Sequence, residues 1–136
     1  MSFAPIKILV TDDVSDSGLQ PLRDGFVVEK RIGLDADALR KAVSDCEGLV
    51  VRSETKVTAE LMDSARGLRV IGRAGVGVDN IDVPAATARG IVVMNAPDGN
   101  TITTAEHTIA MLISLARRVP QANSSLKAGN WEGSAS

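Results

Sequence analysis

The stretch Arg69-Val-Ile-Gly-Arg-Ala-Gly-Val-Gly-Val-Asp-Asn80 joins a short apolar run to three closely spaced glycines and one arginine. The apolar run is typical of a buried strand, and Gly72, Gly75 and Gly77 give the backbone freedom where no side chain obstructs a ligand. Bare main-chain N–H groups in such a loop bind anions, and the guanidinium of Arg73 matches a carboxylate or phosphate bidentately. The pattern predicts a site for a small anion. A plain turn beside a solvated arginine is the alternative.

These glycines do not form a dinucleotide fingerprint. Gly75-Val-Gly77 supplies the first two glycines of G-x-G-x-x-G, but Asn80 stands at the position of the third. Ile81-Asp82 does not open the long helix that a nucleotide-binding loop requires. We therefore reject a nucleotide-binding loop at this position.

Composition narrows the class of protein. The 136 residues are 44% hydrophobic, which suits one ordinary domain. The 15 basic and 17 acidic residues are mixed along the chain, so we expect neither nucleic acid nor a membrane as partner. The single cysteine, Cys46, and the lack of a signal segment predict a cytoplasmic protein. Because acidic residues flank Cys46, we expect a structural role for its thiol.

Apolar runs that alternate with helical segments predict a doubly wound, flavodoxin-like α/β fold with a five-stranded parallel sheet covered on both faces. Asp35, Thr58 and Asp82 are the expected helix caps, and Gly67 is the expected stop of the third helix. The predicted strands are 6–11, 26–30, 48–51, 68–71 and 91–94.

A long apolar helix follows the predicted sheet. Thr103-Thr-Ala-Glu106 has the spacing of a capping box, and the run that it opens is apolar nearly all round until the expected stop at Pro120. Such a helix needs burial on more than one side, so we expect another domain, or a second copy of the chain, to pack against residues 103–119.

This pattern divides the chain into an α/β domain, 1–100, and a crossing helix with a linker, 101–136. His107 lies in the first turn of the helix and is expected to be packed and hydrogen-bonded. The polar tail 124–136 resembles a frayed end or an artificial junction. No His, Cys or Asp cluster has metal-ligand spacing, so no metal site is expected.

Polar residues follow three neighbouring strands, at the sheet edge where ligands of open parallel sheets bind. Arg52 and Arg73 would neutralise an acidic substrate, main-chain N–H groups of Val76 and Gly77 would donate to it, and Asn100 would position it. A surface ion pair for Arg52 and a cap role for Asn100 are the alternatives. The candidate substrate-binding residues are Arg52, Ser53, Arg73, Gly75, Val76, Gly77, Asn100 and Thr101.

Five ordered motifs between Lys7 and Glu132 resemble the amino-terminal, substrate-binding part of the D-isomer-specific 2-hydroxyacid dehydrogenases. The motifs are Val51-Arg-Ser53, Gly72-Arg-Ala-Gly-Val-Gly-Val-Asp-Asn80, Met94-Asn-Ala-Pro-Asp-Gly-Asn-Thr101, Ala105-Glu106 and Ala128-Gly-Asn-Trp-Glu132. The resemblance implies that Arg52, Arg73 and Asn100 touch the substrate. It also implies that Val76 lies against the nicotinamide side of NAD and that Gly77 gives main-chain contact to the carboxylate.

Within the family, the motifs are most similar to members that oxidise 3-phospho-D-glycerate to 3-phosphohydroxypyruvate with NAD in serine biosynthesis. Family members continue into an inserted nucleotide-binding domain, and the arginine, glutamate and histidine of hydride transfer follow later. The resemblance therefore implies no catalytic residue in this chain. We expect the chain alone to bind the phosphorylated acid weakly and to be inactive. Another D-2-hydroxy acid, or a stand-alone small-anion-binding module, is the alternative.

A second class of protein is excluded by the residues after the strands. Asp12-Asp13 resembles the acidic pair of phospho-receiver domains, which also need an aspartate after the third strand and a lysine after the fifth. Here Arg52-Ser53 and Asn95-Ala-Pro97 occupy those positions. We therefore reject a receiver domain.

Overall fold

The structure is a computed structural model and describes residues 5–131. Strands and helices alternate along most of the chain. The strands are β1 (Lys7–Val10), β2 (Val27–Lys30), β3 (Gly48–Val51), β4 (Val70–Arg73) and β5 (Val92–Asn95). The helices are α1 (Asp16–Arg23), α2 (Ala36–Val43), α3 (Ala59–Asp63), α4 (Val83–Ala88), α5 (Thr101–Ala116) and α6 (Val119–Lys127).

The five strands form one parallel sheet with the order β2-β1-β3-β4-β5. The predicted five-stranded parallel α/β architecture is confirmed. Because the strand order changes direction between β1 and β3, right-handed crossovers place α1 on one face of the sheet and α2, α3 and α4 on the other.

The face beneath α2, α3 and α4 carries the main core. Leu9, Leu49 and Ile71 pair across β1, β3 and β4 and are fully buried. They pack with residues of all three helices, including Val43 and Leu61. Burial of each such aliphatic side chain contributes about 1.5–3 kcal/mol to stability, so this layer holds the sheet together.

The opposite face is covered over β1 but open at β5. On this face, α1 buries its own Leu19 and the β1 residues Ile8 and Val10. By register, Val92 and Met94 of β5 lie on the same face, but they are 57% and 58% exposed. The prediction of a sheet covered on both faces is therefore wrong for β5 in the structure.

The predicted caps are confirmed. Asp35, Thr58 and Asp82 each precede a helix and accept a hydrogen bond from a main-chain N–H in its first turn. The stop of α3 was predicted wrongly: the helix ends at Asp63, well before Gly67, and Ser64 donates its main-chain N–H back into the last turn.

The last two strands of the sheet begin later in the chain than their apolar runs predict. β4 was expected at 68–71 and β5 at 91–94, but β4 continues to Arg73 and β5 to Asn95. The ladder explains the difference, because Arg73 pairs with Val51 on one side and with Asn95 on the other. Arg73 thus belongs to a strand end, where its backbone is fixed.

The described chain divides into two compact units, one ending at Gly99 and one starting at Asn100. The second contains α5 and α6. The predicted capping box is wrong, because Thr103 lies inside α5 and Asn100 is the N-cap residue, without a side-chain cap bond. Pro120 does not simply stop a helix. It lies in the first turn of α6, and Arg118, with φ 49°, makes the break from α5.

The helix α5 contains no buried residue. His107 is exposed, so its predicted packing is not seen in the structure. The tail predicted to be frayed from Ser124 is helical as far as Lys127, and residues 132–136 lie outside the described part. Among the described residues, no helix combines the length and apolar character needed to cross a membrane.

Candidate functional site

The two candidate arginines lie at the carboxyl end of neighbouring strands. Arg52 directly follows β3, Arg73 ends β4, and Val51 pairs with Arg73 across the ladder. Ser53 is exposed beside Arg52. The structure thus brings the backbones of both arginines to one edge of the sheet, the edge where ligands of open parallel sheets bind.

The guanidinium of Arg73 lies directly over Gly75. A Cβ atom at position 75 would stand 1.9 Å from Nη1 of Arg73. Gly72, Gly75 and Gly77 all have φ values outside the left-handed region. The loop therefore does not need the backbone conformations that only glycine adopts easily. Glycine at position 75 leaves the space that the arginine side chain fills.

Arg73 also has an unsatisfied donor. Its Nε is buried and has no hydrogen-bond partner in the described structure. A buried polar atom without a partner costs about 1–3 kcal/mol, and such atoms are rare in native proteins. An anionic ligand would supply the missing acceptor.

The loop after Arg73 presents main-chain donors. Within residues 5–131, no protein oxygen accepts a hydrogen bond from the N–H of Val76 or Gly77. The carbonyl oxygen of Val76 accepts a bond of 2.7 Å from Nδ2 of Asn95, which holds the loop against the end of β5. The side chain of Val76 is exposed. The loop therefore offers two free donors and one apolar side chain to solvent.

Arg52 has a different anchor. Its Nη1 donates to the main-chain oxygen of Asp13 at 3.0 Å. Neither Arg52 nor Arg73 forms an ion pair with a carboxylate among the described residues, so the predicted alternative of a surface ion pair for Arg52 is not observed. Both guanidinium charges remain available to an anion.

Asn100 and Thr101 belong to the second unit. Asn100 is the N-cap residue of α5, Thr101 is its first residue, and both are exposed. The alternative that Asn100 is a cap or turn residue ahead of the helix is confirmed for its position, although its side chain makes no cap bond. A role of these two residues in substrate binding stays a prediction.

Sequence reasoning missed two residues of this edge, Asp12 and Asn80. Asp12 is 1% exposed and accepts main-chain N–H groups of the Arg52–Thr55 loop. Asn80 donates to main-chain oxygens of the same loop. These contacts join residues 25 to 43 positions apart, so no local sequence pattern indicates them.

Asp13 and Cys46 are two of the titratable groups whose pKa values are shifted. A hydrogen bond and charge from Lys30 hold the pKa of Asp13 below its usual range. Burial raises the pKa of the Cys46 thiol to about 11, and its Sγ donates to the carbonyl oxygen of Ala42. Burial and this hydrogen bond agree with the structural role expected for Cys46, which stays a prediction. In residues 5–131, no cluster of His, Cys, Asp or Glu could hold a metal ion.

Comparison with known proteins decides the family. The family model described as D-isomer specific 2-hydroxyacid dehydrogenase, catalytic domain, matches residues 8–133. The chain belongs to this family. The resemblance found in the sequence motifs is thereby confirmed, and the glycine loop and both candidate arginines lie inside the matched range.

Curated relatives of this dehydrogenase family agree. The chain is 52% identical over 128 residues to D-3-phosphoglycerate dehydrogenase of Archaeoglobus fulgidus, covering 93% of this chain and 24% of that protein. It is 49% identical over 135 residues to the human D-3-phosphoglycerate dehydrogenase, covering 97% of this chain and 25% of that protein. The chain thus spans about a quarter of the length of these relatives.

Solved structures show the same fold. The TT0316 protein of Thermus thermophilus superposes with a TM-score of 0.81 at 37% identity, over 96% of this chain and 44% of that one. The 3-phosphoglycerate dehydrogenase of Entamoeba histolytica, solved with NAD⁺ bound, gives a TM-score of 0.69 at 30% identity, over 82% of this chain and 39% of that one.

Proposed function

We propose that the protein carrying this chain is an NAD-dependent D-2-hydroxyacid dehydrogenase of the phosphoglycerate dehydrogenase type. It oxidises 3-phospho-D-glycerate to 3-phosphohydroxypyruvate in serine biosynthesis and works in the cytoplasm. The names of the relatives at about half identity support this substrate, and the free, buried thiol of Cys46 is compatible with a reducing compartment.

The observation that carries the proposal is the state of Arg73. Its guanidinium lies over Gly75, its Nε lacks an acceptor, and the adjacent N–H groups of Val76 and Gly77 are free. A carboxylate or phosphate bound there would accept hydrogen bonds from the guanidinium of Arg73 and from the main-chain N–H groups of the loop at the same time. Arg52 lies at the end of the neighbouring strand and has no carboxylate partner among the described residues. Its guanidinium can therefore bind the second charged group of a phosphorylated acid.

The proposed roles follow from these groups. Arg52 and Ser53 bind one anionic end of the substrate, and Arg73 with the Gly75–Gly77 loop binds the other. For Asn100 and Thr101, the family resemblance supports contact with the substrate. The two arginines lower the electrostatic cost of holding a polyanion and orient its hydroxyl-bearing carbon.

NAD fits this chain through one residue. The exposed apolar side chain of Val76 can lie against one side of a nicotinamide ring, and the 3-phosphoglycerate dehydrogenase solved with NAD⁺ bound supports this cofactor. When bound, NAD accepts the hydride from the substrate carbon. We assign no catalytic residue to this chain, and we propose that an inserted nucleotide-binding domain supplies the rest of the cofactor site.

The helix α5 is proposed as the element that crosses to that domain. Its exposed apolar side chains include Leu112 and Leu115, and burial of each against a partner would stabilise the contact by about 1.5–3 kcal/mol. For the isolated chain we propose self-association through residues 103–119. Light scattering at high concentration should give more than the monomer mass, and Leu112→Lys should restore the monomer. A monomeric wild-type chain at all concentrations would contradict the proposal.

The decisive experiment for the function uses the whole protein that carries this chain. With 3-phospho-D-glycerate and NAD, NADH formation should be observed, and Arg73→Ala should lower kcat/KM by about 100-fold, since a charged hydrogen-bond pair contributes about 1.5–3 kcal/mol. The matched control is Arg69→Ala, an exposed arginine just before β4 at the opposite end of the strand. It should leave kcat/KM unchanged.

The outcomes separate the alternatives. Faster turnover of D-lactate or D-glycerate than of the phosphorylated acid would assign another D-2-hydroxy acid. Binding of 3-phospho-D-glycerate without turnover of any hydroxy acid would favour a small-anion-binding module. The 136-residue chain by itself should bind the phosphorylated acid weakly and form no NADH, and NADH formation by it would contradict the absence of catalytic residues.

A further inference from the structure

Asp12 lies beneath the loop that carries Arg52 and Ser53 and contacts its main chain. It is 1% exposed, and its carboxylate accepts the main-chain N–H of Arg52 at 2.6 Å, of Glu54 at 3.2 Å and of Thr55 at 3.1 Å. The hydroxyl of Thr55 also donates to the carboxylate, and its oxygen lies 2.9 Å from the hydroxyl oxygen of Thr11. One buried anion thus holds three of the four N–H groups of residues 52–55.

Asn80 holds the same loop by donating hydrogen bonds to the main-chain carbonyl groups of the loop. Its Nδ2 donates to the main-chain oxygens of Arg52 and Thr55, both at 2.7 Å. The backbone of Asn80 is fixed as well, because its carbonyl oxygen accepts from the N–H of Val57 at 2.8 Å. Since Asn80 ends the loop that follows Arg73, it joins the backbone segments of the two arginines.

The contacts are complementary in chemistry. A carboxylate only accepts hydrogen bonds and receives the N–H groups, while an amide nitrogen only donates and reaches the C=O groups. Bonds to a charged acceptor are roughly twice as strong as neutral ones, and loops without regular structure are otherwise the mobile part of a fold. The loop of residues 52–55 is therefore fixed on both sides before any ligand binds.

We infer that Asp12 and Asn80 are positioning residues that fix the Arg52–Ser53 loop relative to Arg73 for binding of the acid substrate. The inference rests on the proposed function for the identity of that substrate. Neither residue touches the substrate, and both act through the main chain of residues 52–55. Their loss should raise KM for the acid and leave KM for NAD unchanged.

The test uses the whole protein with the isosteric substitutions Asp12→Asn and Asn80→Asp. Each reverses the polarity of a group that faces the loop. Hydrogen exchange measured by mass spectrometry should be about tenfold faster for peptides covering residues 50–57, and KM for 3-phospho-D-glycerate should rise about tenfold. Asp16→Asn is the control, since this exposed aspartate pairs with Arg23 on α1 and does not contact the loop. It should change neither quantity.

If the Asp12→Asn variant does not fold, two less disruptive substitutions at Thr55 test the same contact. Thr55→Val keeps the shape but removes the hydroxyl that donates to Asp12, and Thr55→Ser keeps the hydroxyl. We expect faster exchange and a higher KM for valine and near wild-type values for serine. A purely steric role of residue 55 would give the opposite order.

The inference is overturned if exchange of peptides 50–57 is unchanged, or if exchange increases while KM for the acid does not. Its failure differs from failure of the proposed function. If the wild-type protein turns over no hydroxy acid, the function fails, and the exchange result then decides whether these side chains hold the loop.

Discussion

The two units of the chain use apolar residues in opposite ways. In the unit that ends at Gly99, strands of only four residues bury Leu9, Leu49 and Ile71 completely. In the unit that starts at Asn100, the sixteen-residue helix α5 is rich in apolar residues, yet none is buried, and Leu112 is 66% exposed. Apolar residues therefore form a core only where a second layer of helices or strands packs on them. The helix α5 has the composition of a core element, but its apolar side chains are exposed.

The largest expected effect contrasts one aliphatic residue from each unit. Ile71→Ala should lower the free energy of unfolding by about 2–5 kcal/mol, because it leaves a cavity beneath α2, α3 and α4. In the dilute, monomeric chain, Leu112→Ala should change it by less than about 0.5 kcal/mol, because the side chain is already exposed. Urea unfolding followed by circular dichroism measures both. Equal losses of unfolding free energy in the two variants would contradict the difference in packing between the two units.

The second effect concerns ligand affinity at the edge of the packed unit. Gly75→Ala should weaken binding of 3-phospho-D-glycerate about tenfold, or about 1.4 kcal/mol, because the new Cβ takes the place of the Arg73 guanidinium. Stability should change little, since the clash is with the end of a flexible side chain.

Gly72→Ala is the control for this substitution. Its Cβ would lie 3.9 Å from a methyl group of Val50, an ordinary contact. Calorimetric titration of the whole protein compares the two. Equal affinity of the two variants would show that position 75 has no special relation to Arg73.

A smaller effect contrasts the helix starts of the two units. Asp35→Ala should destabilise the chain by about 1 kcal/mol, because its side chain accepts the N–H of Ala38 at 2.8 Å. Asn100→Ala should have almost no effect on stability, since Asn100 makes no cap bond. Urea unfolding distinguishes them, and a comparable loss for Asn100 would mean that its side chain caps α5 after all.

The effect confined to alkaline pH comes from the buried thiol of the packed unit. Burial, with Asp45 adding to it, raises the pKa of Cys46 from 9.0 in the unfolded chain to about 11. Above about pH 9 the unfolded chain loses the thiol proton while the folded chain keeps it, so this contribution to stability is complete below pH 9 and disappears as the pH rises towards about 11.

Unfolding in urea across that pH range tests the effect against a Cys46→Ala variant. The variant should lack this part of the decline. The same slope in both proteins would assign the pH dependence to other groups, such as Lys7, whose hydrogen bonds to Asp45 and Glu29 raise its pKa as well.

Much of the fold could be predicted because its determinants are local. Apolar runs gave the five strands, and Asp35, Thr58 and Asp82 marked helix starts through bonds that span three residues. The ends of β4 and β5 could not be predicted from apolar runs, because they depend on pairing between strands, which includes the polar Arg73 and Asn95.

The site shows the same division. Arg52, Arg73 and the glycine loop were predictable because parallel strands bring their carboxyl ends to one edge. The packing of Arg73 on Gly75 and the contacts of Asp12 and Asn80 were not, because they depend on side-chain directions and on partners far along the chain. The capping box at Thr103 failed because the helix starts earlier, at Thr101.

The contact between Gly75 and Arg73 has a consequence for divergence within the family. A mutation at either position is felt at the other, so a lineage that acquires a bulkier residue at 75 must first lose or redirect the arginine at 73. Related sequences should therefore show these positions changing together, and enzymes in which both have changed should prefer acids of lower charge.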